Sequence, residues 1–547
     1  MTEDSKRMEV ITSLCNQGKL DEARTKLESY LKDFPNSSEG WRLAAQIDLN
    51  HFEDTDKAFD ELIEALRLEP KNVWALVLMG NLLLEKKKDF ESANTYFKKV
   101  LEFHPNNAVA LTNVGVALSE QQKYTDALIF FNRAVKSDPT YANAYLGIGF
   151  SYYYMGDYQK AFDEVLNGLH KSVSRPEDPN VYSQMVACMK NAAEQIAKTA
   201  NFKPLVNDIV DKLQRNDHLP IHFKRDDTLQ VAARLEYGPT HGKLEHTIVY
   251  NPSKPIYDYL SIHELTHLKM MQQDTVAKTG YVFAAKQDGW EKFKNKYSQD
   301  VKNKLKSIPE ADPESFMRQI FDGQGTQLLS CPLDLFVDSM IYSDYPQLRP
   351  LQFLWLFSEE LEFINSLEKA DLDIFPTDLL RNNKVMNMVS SLVFRRLYCV
   401  NILNKFKATA SDFQTAEKLY QNFLGIADNL KPGDEYKLVK TFINTLGAED
   451  YYELISESKV NKVYEEKKEL AEMQHQDDYA DEKNARYALE HQDGSDPRET
   501  LMMAMYMEVA MDHCDKIGDR GTQLLAMECA HVGLTGINPS KNYVLHW

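Results

Sequence analysis

Four prolines, Pro35, Pro70, Pro105 and Pro139, recur at intervals of 35, 35 and 34 residues, and this period constrains the chain more than any other feature. Each closes a helical segment, as in Ala65-Leu-Arg-Leu-Glu-Pro70. An alanine stands twelve residues ahead of each proline (Ala23, Ala58, Ala93, Ala127), and a bulky apolar residue stands eight ahead (Leu27, Leu62, Phe97, Phe131). A fifth unit follows with Gly149, Tyr152, Ala161 and Val165. The spacing has a physical cause. Two helices that cross closely need a small residue at the crossing, a large one in the groove beside it, and a proline to stop the second helix.

The fourth unit carries the fullest pattern, Leu111, Val114-Gly115, Leu118, Ala127, Phe131, Ala134 and Pro139. It resembles the tetratricopeptide repeat, and the resemblance covers roughly residues 4–170. What it implies is an α-solenoid whose concave groove holds a peptide or protein partner, in cis or in trans. The second and third units hold one extra residue each, at Asp54 and around Lys86-Lys87-Lys88, where a turn can absorb it. Gly80-Asn81 lacks a matching set of basic and amide residues in neighbouring units, so a clamp for acidic chain ends is not expected.

Charge narrows the partners. Asp and Glu number 82 against 63 Lys and Arg, a net charge of −19 that repels phosphate backbones and anionic lipid. Neither a nucleic-acid nor a membrane partner is expected, and no apolar run is long enough for a spanning helix. The opening residues, Met-Thr-Glu-Asp-Ser-Lys-Arg, do not read as a secretory signal. Six cysteines (Cys15, Cys188, Cys331, Cys399, Cys514, Cys529) stand without Cys-x-x-Cys pairing, as thiols in a reducing compartment do. A cytoplasmic location is the expectation.

Beyond residue 180 the pattern changes. Residues 183–214 read as helix, Thr228–Tyr237 and His246–Tyr250 as strands, and a helix is predicted from near Ser253–Pro255 to about Met271. That helix carries His263-Glu264-Leu265-Thr266-His267. Histidines four apart share one helical face and can converge on one ion, while the glutamate beside them can take a proton from water. Two strands followed by the histidine helix resemble the active-site half of the zincin metallopeptidases. The resemblance implies Zn2+ held by His263 and His267, Glu264 as general base, and a last strand that pairs with an extended substrate.

Zinc needs a third protein ligand. No Glu-x-x-x-Asp lies at the short distance of the thermolysin-like branch. Residues 285–325 read as a polar insertion, with Asp322–Thr326 as a turn, and beyond it Asp334 and Asp338 sit four apart in an apolar helix. Carboxylates in such a place suit a metal or its histidines. Asp334 is matched to the ligand and Asp338 to the acid that orients a histidine, or to the alternative ligand. Asp344 and Glu359 come next, and His246 and Tyr342 are candidates to steady an oxyanion.

Residues 346–547 read as helical: 351–367, 385–405, 413–427, 436–446, and a last hairpin over 497–534 containing the methionine-rich stretch Met502–Met511. Residues 451–500, with 14 acidic and 7 basic side chains, read as a solvated connector. The expected fold is mainly α: a repeat solenoid (1–180), an α+β zincin-like domain (181–450), and an acidic connector with a helical C-terminal region (451–547). The expected function is zinc-dependent peptide-bond hydrolysis, with the repeats recruiting a protein substrate or regulator. The alternative is a non-catalytic interaction scaffold with a structural or vestigial zinc site.

Overall fold

The computed structural model describes residues 3–172, 179–229, 233–251, 256–307, 312–367 and 374–460. From Glu3–Asn16 to Tyr158–Ser172, the helices stack as consecutive pairs, five in all among the described residues. The spaced residues are the ones buried: Ala23, Ala58, Ala93 and Ala127 at the crossings, and Leu27, Leu62, Phe97 and Phe131 beside them. Gly80 and Gly115 admit those rings, since a Cβ there would lie 2.3 Å from Phe97 and 2.6 Å from Phe131. Asp54, Asn72, Asp89 and Asn107 each accept a backbone N–H in the first turn of the helix they precede, which fixes where it starts. The extra residue of the second unit is taken up by a π-turn, Asp48–Phe52, that ends at Glu53 with φ 54°. In the third unit Lys88 turns the chain at φ 52°.

The division expected at residue 180 does not hold. One apolar core begins at Tyr145 and Leu146 in the fifth pair and continues to Tyr451 and Tyr452. Phe162 packs edge-on against Phe353 (5.8 Å between ring centres) and Tyr398 (6.4 Å). The last unit of a stacked array has an apolar face that a further repeat would cover. Here the helices Pro179–Thr199 and Arg349–Ser366 cover it instead.

Five short strands follow among the described residues. They are β1 (Ile221–Arg225), β2 (Ala233–Glu236), β3 (His246–Tyr250), β4 (Tyr281–Ala285) and β5 (Tyr452–Ser456). The first three form a sheet in the order β1-β3-β2, with β3 parallel to β1 and antiparallel to β2. Only two of these strands were expected. β1 alternates Ile221 and Phe223 with His222 and Lys224, a period-two signal too short to stand out after Pro220. β4 pairs antiparallel with β5, Tyr281 opposite Ser456. A boundary at 450 therefore cuts a sheet.

The stretch read as a polar insertion is core. Its helix Gly289–Lys304 buries Phe293 and Tyr297. Asp322–Thr326 is not a turn but the interior of the helix Pro313–Asp344. Gly325 is small because Tyr452 of β5 crosses there, its ring carbon 2.9 Å from where a Cβ would stand. Residues 183–214 form two helices, Pro179–Thr199 and Lys203–Asp217, and the later helices are Arg349–Ser366, Thr377–Tyr398, Ala410–Ala427 and Asp434–Thr445. The expected hairpin over 497–534, with Met502–Met511, lies outside the described residues. Among those described, no helix is long and apolar enough to cross a membrane. The described fold is mainly helical, with a repeat solenoid at its start.

Candidate metal centre

The helix Tyr257–Ala277 buries Ile262, Leu265 and Leu268 completely, which turns His263 and His267 together toward the helix Pro313–Asp344. Their rings are 4.9 Å apart, edge to face. Asp334 meets them from the facing helix: its Oδ1 lies 3.0 Å from His267 Nε2 and 3.9 Å from His263 Nε2. One donor atom from each of the three falls within 4.8 Å of the others. Tetrahedral zinc with bonds of about 2.0–2.1 Å sets its ligand atoms roughly 3.3 Å apart, so the spacing fits such an ion.

Glu264 points beside this trio. Its Oε1 is 3.6 Å from His263 Nδ1, and the backbone N–H of Leu235 faces its carboxylate. Burial would raise its pKa, but the adjacent His263, the charge of both imidazoles and the Leu235 N–H hold it below the ordinary carboxylate value. His263 shows the complementary effect. Burial alone would lower its pKa, yet Glu264, Asp334 and Asp338 hold it up at about 9. The carboxylates thus demand positive charge at this spot, supplied by a proton or by a cation.

Leu235 lies on β2, one of the two outer strands of the sheet. The last strand before the histidine helix, β3, is paired on both sides and has no edge for an incoming strand. The substrate-pairing role expected of the last strand therefore cannot fall to β3, and of the two edge strands β2 is the one whose Leu235 faces Glu264.

Asp338 is buried one turn beyond Asp334. Its Oδ1 accepts from Tyr259 Oη at 3.2 Å and Gln352 Nε2 at 3.3 Å, and Gln352 is held in turn by Tyr398 Oη at 2.9 Å. Burial pushes the Asp338 carboxyl up to about 6, against the opposing pull of His263 and these two hydrogen bonds. Among the described residues no hydrogen bond joins Asp338 to either imidazole, so it faces the histidines as a charge rather than as an orienting acceptor. Tyr259 carried a sequence signal, one turn before His263 on the same face. Gln352 carried none.

The other candidates lie elsewhere. His246 is fully buried, stacked on Tyr237, accepting the Gly238 N–H at Nδ1 (3.1 Å) and donating from Nε2 to Asp217 (2.9 Å). With both nitrogens engaged it joins the sheet to the helix before it and does not steady an oxyanion. Tyr342 faces the last repeat helix, its Oη 3.3 Å from His170 Nε2. Asp344 pairs with Lys269 at 3.2 Å, and Glu359 is exposed on Arg349–Ser366. Two cavities, about 640 Å³ beside Met388, Leu392 and Phe413 and about 480 Å³ beside Tyr281, Tyr436 and Leu454, are lined by none of the trio.

Comparison with known proteins bears on the first third of the chain. Residues 12–37 and 77–142 match models described as tetratricopeptide repeat. The chain carries tetratricopeptide repeats. The human mitochondrial import receptor subunit TOM70 is 28% identical over 135 residues, 24% of this chain and 22% of that protein. The DnaJ homolog subfamily C member 7 homolog of Schizosaccharomyces pombe is 25% identical over 227 residues, 37% of this chain and 47% of that one. The chain thus spans less than half the length of these curated relatives. Among solved structures, TTC0263, a thermophilic TPR protein of Thermus thermophilus, aligns with 15% identity and a TM-score of 0.30, covering 34% of this chain and 98% of its own. Both repeat matches end before the histidine helix and do not bear on the His263, His267 and Asp334 cluster.

Proposed function

We propose that the chain is a protein-interaction module that also carries a metal-dependent peptide-hydrolysing site. Tetratricopeptide repeats support protein–protein interaction. The observation that supports the hydrolytic reading is the convergence of His263, His267 and Asp334, with Glu264 beside them. Zn2+ is the cation these donors suit, and when bound it supplies Lewis acidity to a water and a carbonyl. His263 and His267 offer neutral Nε2 atoms and Asp334 an anionic oxygen. Glu264 accepts a proton from the attacking water and delivers it to the leaving amide nitrogen. The edge of β2, with the Leu235 N–H at Glu264, is where an extended peptide would lie.

The second reading is a non-catalytic interaction scaffold with a structural or vestigial zinc site, and the comparisons support its interaction role, since both family matches fall on the repeats. Glu264 decides between them, because a structural site has no need of it. Glu264→Gln should keep one tightly bound zinc, measured by atomic emission, and lose peptide cleavage by several orders of magnitude. Zinc bound equally in both forms, with no cleavage of any peptide in a library by the native chain, selects the scaffold.

A further inference from the structure

A second cluster of reactive side chains lies where the last repeat helix meets the helices that cover it. Cys399 Sγ stands 3.1 Å from His170 Nδ1. The other ring nitrogen, Nε2, is 3.0 Å from the Leu397 carbonyl oxygen, which can only accept. Nε2 therefore carries the proton, and Nδ1 presents its lone pair to the thiol. Tyr342 Oη, 3.3 Å from Nε2, flanks the ring on the same side.

The cysteine is held in place. It sits at φ 57° just past the C-terminus of Thr377–Tyr398, and its carbonyl accepts from Tyr182 Oη at 3.2 Å, which itself accepts the Asn401 N–H. The end of that helix disfavours a standing negative charge on the sulfur, so the thiol stays protonated until it reacts. Burial lowers the pKa of His170 first, the Leu397 carbonyl pulls the other way, and Arg349 lowers it further. The imidazole is thus a free base at neutral pH. A nucleophile, a base within hydrogen-bond reach and a group that orients the base make up an activated thiol.

The geometry points to Cys399 as a base-assisted nucleophilic thiol that reacts with hydroperoxides, with His170 as its proton acceptor and donor. The thiol proton passes to His170 Nδ1, and the sulfur attacks one oxygen of the peroxide. An S–O bond forms as the O–O bond breaks, so sulfur loses two electrons to the departing oxygen. His170 returns its proton to that oxygen, leaving a sulfenic acid and one water or alcohol. The site does not depend on the metal centre. A polar group added here would stand between the last repeat helix and the helix of Asp334, which also carries Tyr342.

The test uses the full-length protein. Its cysteines are alkylated with iodoacetamide across a pH series, and each site is followed by peptide mass spectrometry. Cys399 should be alkylated about tenfold faster at neutral pH than an ordinary thiol of pKa about 8.5, because His170 takes its proton as the sulfur attacks. After brief hydrogen peroxide treatment, dimedone should label Cys399. His170→Gln should bring the profile back to that of an ordinary thiol and slow labelling about tenfold. Labelling of buried Cys188 reports whether that variant has unfolded, in which case the native pH profile decides by itself. An ordinary profile for Cys399 in the native chain, no dimedone adduct, or an unchanged profile in a folded His170→Gln chain overturns the proposal.

Discussion

Asp334 and Asp338 stand one helical turn apart on the same helix, yet their surroundings give them different work. Asp334 reaches both imidazoles, whereas Asp338 is bound by Tyr259 and Gln352. A carboxylate that touches a cation contributes its full charge, while an outer partner shifts metal affinity by about 10–100-fold. Asp334→Ala should therefore weaken zinc binding by more than about 100-fold, and Asp338→Asn by less, in a competition titration against a coloured chelator. The reverse ranking would exchange their roles. His263→Ala or His267→Ala should abolish stoichiometric zinc, and a double variant that keeps it would rule the trio out.

Between elements, two contacts carry most of the consequence. Gly149 lets the first helix of the fifth pair press on Val165, whose Cγ2 would lie 2.2 Å from an added Cβ. Gly149→Ala gains about 1 kcal/mol of helix propensity but overpacks a stiff, fully buried side chain at about 1–3 kcal/mol. The melting temperature should fall, and Gly149→Ala with Val165→Ala should cost less than the sum of the two single changes. The second contact joins the histidine helix to Asp434–Thr445 through two buried carboxyls, Asp274 and Glu435. Asp274 Oδ2 and Glu435 Oε1 have no hydrogen-bond donor, which a proton shared between the groups explains. Burial, the neighbouring Asp274 and its charge push Glu435 from 4.5 up to about 9. The folded chain thus keeps a proton that the unfolded chain releases, so this stabilisation is complete below about pH 4.5 and is lost as pH rises through about 9. Tyr436, Glu457 and Thr279 face the same pair and add no positive charge. Glu435→Gln should flatten the decline in melting temperature between about pH 5 and about pH 9. An identical slope in both chains would show that the pair does not share its proton.

At the scale of the whole molecule, the repeats are not a detachable handle. Phe162 and Leu169 lie in the core that also contains Phe353, Tyr398 and the histidine helix. A chain beginning at residue 181 would expose that surface, whereas one beginning at 141 would keep the fifth pair. The longer fragment should unfold cooperatively with a melting temperature near that of the intact chain, and the shorter should melt well below it or aggregate. Equal melting by calorimetry would show that the seam adds no stability.

How much of this was legible in the sequence follows from how local each signal is. A 34–35-residue period, an alanine at every crossing and a histidine pair four apart are features of single helices and of adjacent ones. They depend on helical geometry alone, and so the repeats, the histidine face and the pairing of Asp334 with Asp338 were readable directly. Where His246 and Tyr342 point was not, because each is settled by a partner distant in the chain, Asp217 for one and His170 for the other. Asp322–Thr326, turn-like in composition, became helix because Tyr452 packs against Gly325 across more than a hundred residues. The boundary at 180 failed for the same reason. Local pattern marks where a repeat ends, but only the packed structure decides what covers its last apolar face.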